Sequence, residues 1–223
     1  MVQRWKEDPS LHSCERINGV WQKTKNLDYS ETYRVEFLES DPLRDWESID
    51  RCIDLWKWAI QFAKIDITDF CVLDCGTKDG QFPEWLLDQG VRGAIGLEFS
   101  HKYVKYAKER GRPVVWGDVC DLDFGADIYD FVFSHHLLGL TADYRKGLDE
   151  MFRVTKPGGY MITLNDVPGN PKKHFSYIED DSVFDDFLVN HHDEIDTIYW
   201  NEHWGKVSPK EYVLFVRKRN EED

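Results

Sequence analysis

From residue 45 onward the chain alternates between two hydrophobic periods. Ile49, Ile53, Trp56, Ile60 and Ala63 recur at helical spacing, giving one apolar face of an amphipathic helix that Asp45 is placed to cap. The apolar run 70–76 then reads as a buried strand, and 83–89 as a helix with Pro83 in its first turn and Gly90 at its stop. The alternation continues with a strand at 91–98, a helix capped by Ser100 and running to Gly111, and strands at 113–117 and 129–134. A helix from about Thr141 carries Tyr144, Leu148, Met151 and Phe152 on one face and must end before Pro157. Gly158 and Gly159 turn into a strand at 160–164, followed by a helix at 181–190 and strands at 195–200 and 211–218. Continuous apolar strands joined by short connections are those of a parallel sheet covered on both faces. The pattern therefore predicts a doubly wound α/β domain over residues 45–223, with ligands at the carboxyl ends of its strands.

Residues 1–44 carry no such period. They are polar, with aromatics at Trp5, Trp21, Tyr29, Tyr33 and Phe37, and read either as an arm packed on the domain or as a lid over a ligand site. The 223 residues hold 42 acidic and 28 basic side chains, a net charge of −14. That field repels phosphate backbones and argues against a nucleic-acid partner. A mean hydropathy of −0.58 and the lack of a long apolar run predict no membrane-crossing helix. The first residues lack the apolar segment of a secretory signal. Cysteines at 14, 52, 71, 75 and 120 are odd in number and form no CxxC. A reduced, cytoplasmic protein is expected, without a disulfide framework or zinc knuckle.

The candidate chemistry lies at the strand ends. Asp74 closes the first buried strand, and Gly76 and Gly80 follow in the turn to a helix. Glycines there allow close backbone approach, and the helix start offers free N–H groups, which suits a nucleotide-like ligand. A plain turn needs glycine too, so this loop alone decides nothing. Glu98 closes the next strand 24 residues later, where a carboxylate can accept both hydroxyls of a ribose. Asp118 follows the strand after that, within reach of an adenine amino group. The loop is neither GxGxxG nor GxxxxGK[ST], and no GxSxG elbow occurs.

Taken in order, VLDCGTKDG (72–80), GLE (96–98), WGD (116–118), YDFVFSHHLL (129–138) and FRVTKPGGYMIT (152–163) resemble the successive motifs of class I S-adenosylmethionine-dependent methyltransferases. The terminal EYVLFVRK resembles that family's last strand. The resemblance implies a mostly parallel seven-stranded sheet of order 3-2-1-4-5-7-6, with helices on both faces and the last strand antiparallel. It implies S-adenosylmethionine as cofactor. The loop of Asp74, Gly76, Thr77 and Gly80 would cradle its methionine portion, Glu98 hold the ribose and Asp118 contact the adenine, with Val119 and Ser134 completing the set. The implied reaction moves a methyl group to a small-molecule acceptor, with a protein side chain as the second choice of acceptor. A non-catalytic scaffold and a non-methylating enzyme using a related cofactor remain alternatives. One residue departs from the family pattern. Lys78 stands where the middle glycine of the loop belongs. Lysine favours ordinary backbone angles, so a reshaped loop with Lys78 turned to solvent is expected.

No N/D-P-P-Y/F signature follows the fourth strand of the resemblance; Ser134, His135 and His136 stand there. A neutral imidazole can take a proton from a hydroxyl or amine acceptor. Neighbours in an extended segment point oppositely, so the two histidines are expected to do different jobs. Asn165 and Asp166 end the next strand and reach the same mouth, with Asp166 the next candidate base. His191, His192, Asp193, Glu194 and His203 are metal-ligand types at no standard spacing, so a charged helix end without metal is expected.

Overall fold

The computed structural model describes residues 14–17, 20–23, 49–141, 143–166, 182–201 and 211–220. Seven strands build the main sheet: β3 (Cys71–Cys75), β4 (Gly93–Glu98), β5 (Val114–Trp116), β6 (Tyr129–His135), β7 (Thr155–Asp166), β8 (Ile195–Asn201) and β9 (Glu211–Lys218). Their order is β5-β4-β3-β6-β7-β9-β8. The first five run parallel, and β9 pairs antiparallel with both β7 and β8. This is the expected 3-2-1-4-5-7-6 arrangement. The order reverses between β4 and β6 on either side of β3, so the carboxyl end of β3 is the switch point at which such sheets bind ligands.

Alternation along the central strands explains why both faces are covered. Val72, Phe131, Phe133, Ile162, Val213 and Phe215 meet Leu55, Trp56 and Ala59 of helix α1 (Asp50–Ala63) and Phe82 and Leu86 of α2 (Gln81–Asp88). Their sheet neighbours Leu73, Val132, Met161, Leu214 and Val216 meet Leu148, Met151 and Phe152 of α4 (Tyr144–Val154) and Phe184 and Phe187 of α5 (Ser182–Asn190). Each fully buried aromatic or aliphatic side chain contributes about 1.5–3 kcal/mol. Helix α3 (His101–Lys108) packs Val104 and Ala107 on Val114 at the sheet edge.

The structure shifts several element boundaries. β7 begins at Thr155, not 160, because Thr155 already pairs with Tyr129 before an irregularity absorbs Pro157, Gly158 and Gly159. A side chain at Gly159 would press on Lys156 O and Asp130 O at 2.9 and 3.0 Å. α4 starts at Tyr144 because Asp143 caps it, accepting from Arg145 N and Lys146 N. Ser100 stands at the start of α3, but its hydroxyl makes no cap there.

Within the N-terminal arm, β1 (Cys14–Ile17) and β2 (Val20–Lys23) form an antiparallel hairpin. The other residues of 1–44, on which the reading as an arm or a lid rests, lie outside the described residues, as does Asp45. Cys52, Cys71, Cys75 and Cys120 are not joined in disulfides. Among the described residues no helix is long and apolar enough to cross a membrane.

Candidate functional site

The loop leaving β3 takes left-handed backbone angles at alternate residues: φ is +78° at Gly76, +55° at Lys78 and +76° at Gly80. Gly76 N and Thr77 N donate to Leu97 O, and Gly80 N to Thr77 O. Packing demands glycine at both ends. A Cβ at Gly80 would lie 2.3 Å from Val114 Cγ2, and one at Gly76 2.8 Å from Leu137 Cδ1. Lys78 corrects the expectation of ordinary backbone angles. It keeps the turn that a glycine would make, at a conformational cost of about 1–2 kcal/mol. Its peptide N–H donates to Glu98 Oε2 at 2.9 Å, which offsets part of that cost.

Asp74, one residue before the end of β3, and Glu98, which ends the adjacent parallel strand β4, are 4% and 3% exposed. Glu98 Oε1 accepts from Ser100 N at 2.7 Å, so this carboxylate ties down the residue at which α3 starts. Burial pushes Asp74 up to about 7; the nearby Thr77 hydroxyl opposes the shift and the charge of Glu98 adds to it. Burial likewise pushes Glu98 to about 7 against the N–H groups of Ser100, Lys78 and Phe99. Two carboxyls near neutrality at one strand edge form a site whose charge responds to a bound cation.

Next to Glu98, Trp116 stacks on His101 with centroids 4.9 Å apart and planes 4° apart, and on Phe99 at 5.7 Å. Its indole N–H donates to Phe99 O at 2.7 Å. Asp118 Oδ1 accepts from Cys120 N at 2.9 Å, which fixes the turn after β5. Val119 is buried in the core, against the site of Gly147. Thr77 is buried beneath Gly96, where a Cβ would stand 2.3 Å from its Cγ2.

On the other side of β3, Ser134 and Thr163 are fully buried and share a 2.7 Å hydrogen bond. Asn165 donates to Thr163 Oγ1 and accepts from Leu138 N at 3.0 Å, fastening the loop after β6. His136 N donates to Leu164 O at 2.7 Å. His136 has φ +51°, and its ring meets that of His135 edge-on at 4.3 Å. The expected opposite directions therefore fail: the strand ends at His135, and the left-handed turn brings the second ring back against the first. Asp166 closes β7 opposite Glu211; its side chain lies outside the described residues.

The strand ends thus bring together Asp74, Gly76, Thr77, Gly80, Glu98 and Asp118. His135 and His136 flank them, and Leu137 lies over Gly76. The side chains of Val119 and Ser134 are turned into the fold. Sequence reasoning missed the Trp116 shelf and the role of Asn165 as a fastener. Trp116 could have been found from its place one residue before Gly117-Asp118. The Asn165–Leu138 bond spans 27 residues and leaves no local signal. His191 Nδ1 lies 2.9 Å from Glu194 Oε1 and Nε2 3.2 Å from Asp149 Oδ1, while its ring packs on Phe152 and Phe187. It joins α4 to the end of α5. His203 lies outside the described residues, and among those described no group of three or more ligating side chains could hold a metal ion.

The donor set fits S-adenosylmethionine. Two carboxyls suit its cationic and hydroxylated parts, and an aromatic shelf suits its base. Glu98 already accepts from backbone N–H groups, and a carboxylate has about four acceptor sites, so it can accept a further hydrogen bond.

Residues 73–163 match the family model described as a methyltransferase domain. The chain is 32% identical over 148 residues to a demethylmenaquinone methyltransferase of Lactococcus lactis, covering 59% of this chain and 58% of that protein. It is 30% identical over 118 residues to a malonyl-(acyl-carrier protein) O-methyltransferase of Coxiella burnetii, covering 52% and 40%. The chain thus spans less than two thirds of these relatives. In fold it is similar to an S-adenosylmethionine-dependent methyltransferase from Mesorhizobium loti, at TM-score 0.58 and 15% identity, covering 72% of this chain and 97% of that one. It is also similar to the [4+2]-cyclase SpnF, at TM-score 0.59 and 17% identity, covering 82% and 85%.

Proposed function

We propose that the class I methyltransferase domain carried by residues 73–163 transfers a methyl group from S-adenosylmethionine to a small-molecule acceptor. The observation that carries this reading is the pair of buried carboxyls, Asp74 and Glu98, on either side of a loop that is left-handed at three alternate residues. When bound, the cofactor would supply an electrophilic methyl on sulfonium, whose transfer to the acceptor would leave the electron pair of the broken sulfur–carbon bond on sulfur.

Asp74 and Glu98 would bind and orient the cofactor from the switch point, with Asp118 and the Trp116 shelf at the nucleoside end. Leu137 over Gly76 helps to exclude water. Most of the rate would come from this positioning and exclusion. His135 or His136 would hold the proton leaving a hydroxyl or amine acceptor, with Asp166 next in line. A carboxylate acceptor would need no base.

The relatives named for demethylmenaquinone and for a malonyl carrier protein support a small acceptor, free or carrier-borne. The test is release of S-adenosylhomocysteine from the full chain with S-adenosylmethionine and panels of quinols, phenols, carboxylates and amines. Turnover in one class supports the reading. Cofactor binding without turnover in any class would favour a binding protein.

A further inference from the structure

We infer that Arg112, outside the strand-end set, is a positioning residue that holds the cofactor loop in its left-handed shape around Lys78; this rests on the function proposed above. Arg112 Nη1 donates to Asp79 Oδ2 at 2.6 Å and to Asp79 O at 3.1 Å, and Nε to Glu84 Oε2 at 2.9 Å. The Arg112 and Asp79 side chains are only 15% and 13% exposed, so their pairing is charge-assisted and largely shielded from solvent. Gln81 Nε2 donates to the same Asp79 oxygen at 2.9 Å.

These contacts enclose the one strained peptide of the loop. Lys78 is tied to Glu98 through its own N–H, and the next residue, Asp79, is tied to Arg112 through both backbone and side chain. A glycine at 78 would hold φ +55° unaided. A lysine there needs the chain fixed on both sides, and Glu98 and Arg112 fix it from the ends of β4 and the approach to β5. Arg112 therefore sets how completely the ligand-free loop is formed, and through that the affinity for cofactor.

The test uses the full chain as wild type, Arg112→Gln, Lys78→Gly and the double variant. Hydrogen exchange of the ligand-free loop amides 77–81 is measured first, then S-adenosylhomocysteine affinity by calorimetry. Arg112→Gln should speed loop exchange and weaken affinity by about 10- to 100-fold, the scale of one charge-assisted bond. Lys78→Gly in that background should restore most of both losses and gain clearly more than it does in wild type, a coupling that an independent, merely stabilising ion pair would not show. Arg110→Gln removes the same charge from an arginine lying over the Tyr106 ring and should leave both readouts unchanged. Unchanged loop exchange in Arg112→Gln, or no rescue by Lys78→Gly, overturns the inference. If the wild type binds no S-adenosylhomocysteine, the functional reading falls and takes the link to affinity with it, while the exchange data still decide the anchoring.

Discussion

The peptide N–H of Lys78 donates to Glu98 Oε2 at 2.9 Å, while Glu98 Oε1 accepts from Ser100 N at 2.7 Å. A single carboxylate therefore holds the loop after β3 and the start of α3 in the same register. Glu98 is as much a part of the scaffold as of the candidate site.

Removing that carboxylate should cost stability before any ligand is added. Glu98→Ala removes the acceptor of the Lys78 and Ser100 N–H groups, a loss of about 2–4 kcal/mol in the ligand-free protein. Glu98→Gln keeps one acceptor and should lose less. Thermal unfolding of the three proteins checks the order; equal midpoints would mean that these bonds contribute nothing to the fold.

The two sides of the glycine pattern should respond oppositely. Lys78→Gly relieves a left-handed lysine and should stabilise by about 0.5–1 kcal/mol, raising the melting midpoint by about 1–4 °C. Gly80→Ala adds a Cβ 2.3 Å from Val114 Cγ2 at φ +76° and should destabilise by at least about 2 kcal/mol. Melting curves compare the pair, and a stabilising Gly80→Ala would refute the packing argument.

The pH dependence follows from Asp74. Burial raises its carboxyl to about 7 in the folded protein, against about 4 in the unfolded chain. Its contribution to stability is complete below about pH 4 and is lost as pH rises to about 7. Asp74→Asn removes this dependence. The variant's midpoint relative to wild type should climb between about pH 4.5 and 7 and then level off. A difference that stays flat over that window would show that Asp74 titrates as an ordinary carboxyl.

The parallel sheet was legible because buried strands such as 129–134 and 160–164 are continuous apolar runs set between helices of clear period. The strand-end carboxylates were legible for the same reason: Asp74 and Glu98 are the acidic residues toward the carboxyl ends of the runs 70–76 and 91–98. The backbone of Lys78 was not, because side-chain preference predicts ordinary angles and contacts with residues distant in sequence, such as Glu98, override it. The meeting of His135 with His136 was hidden for a related reason. Alternation holds only while the strand lasts, and the strand stops between the two. Val119 and Ser134 followed motif position, whereas their side chains follow packing.

The histidine pair gives a kinetic prediction. With a hydroxyl acceptor, replacing the base among His135 and His136 by Gln should slow turnover by about 10²- to 10⁴-fold at saturating cofactor. Because the rings touch, the other substitution should also reduce the rate, by a smaller factor. Turnover of each variant across pH 6–8 checks this. Full activity in both would exclude a histidine base and move attention to Asp166.

The most direct test of the central claim is a calorimetric titration of the ligand-free full chain with S-adenosylhomocysteine, repeated with Glu98→Gln. One molecule should bind per chain with measurable heat, and the variant should bind at least about tenfold more weakly, as a charge-assisted bond is lost. Absence of heat and of any melting shift with either S-adenosylhomocysteine or S-adenosylmethionine at millimolar concentration would contradict the account.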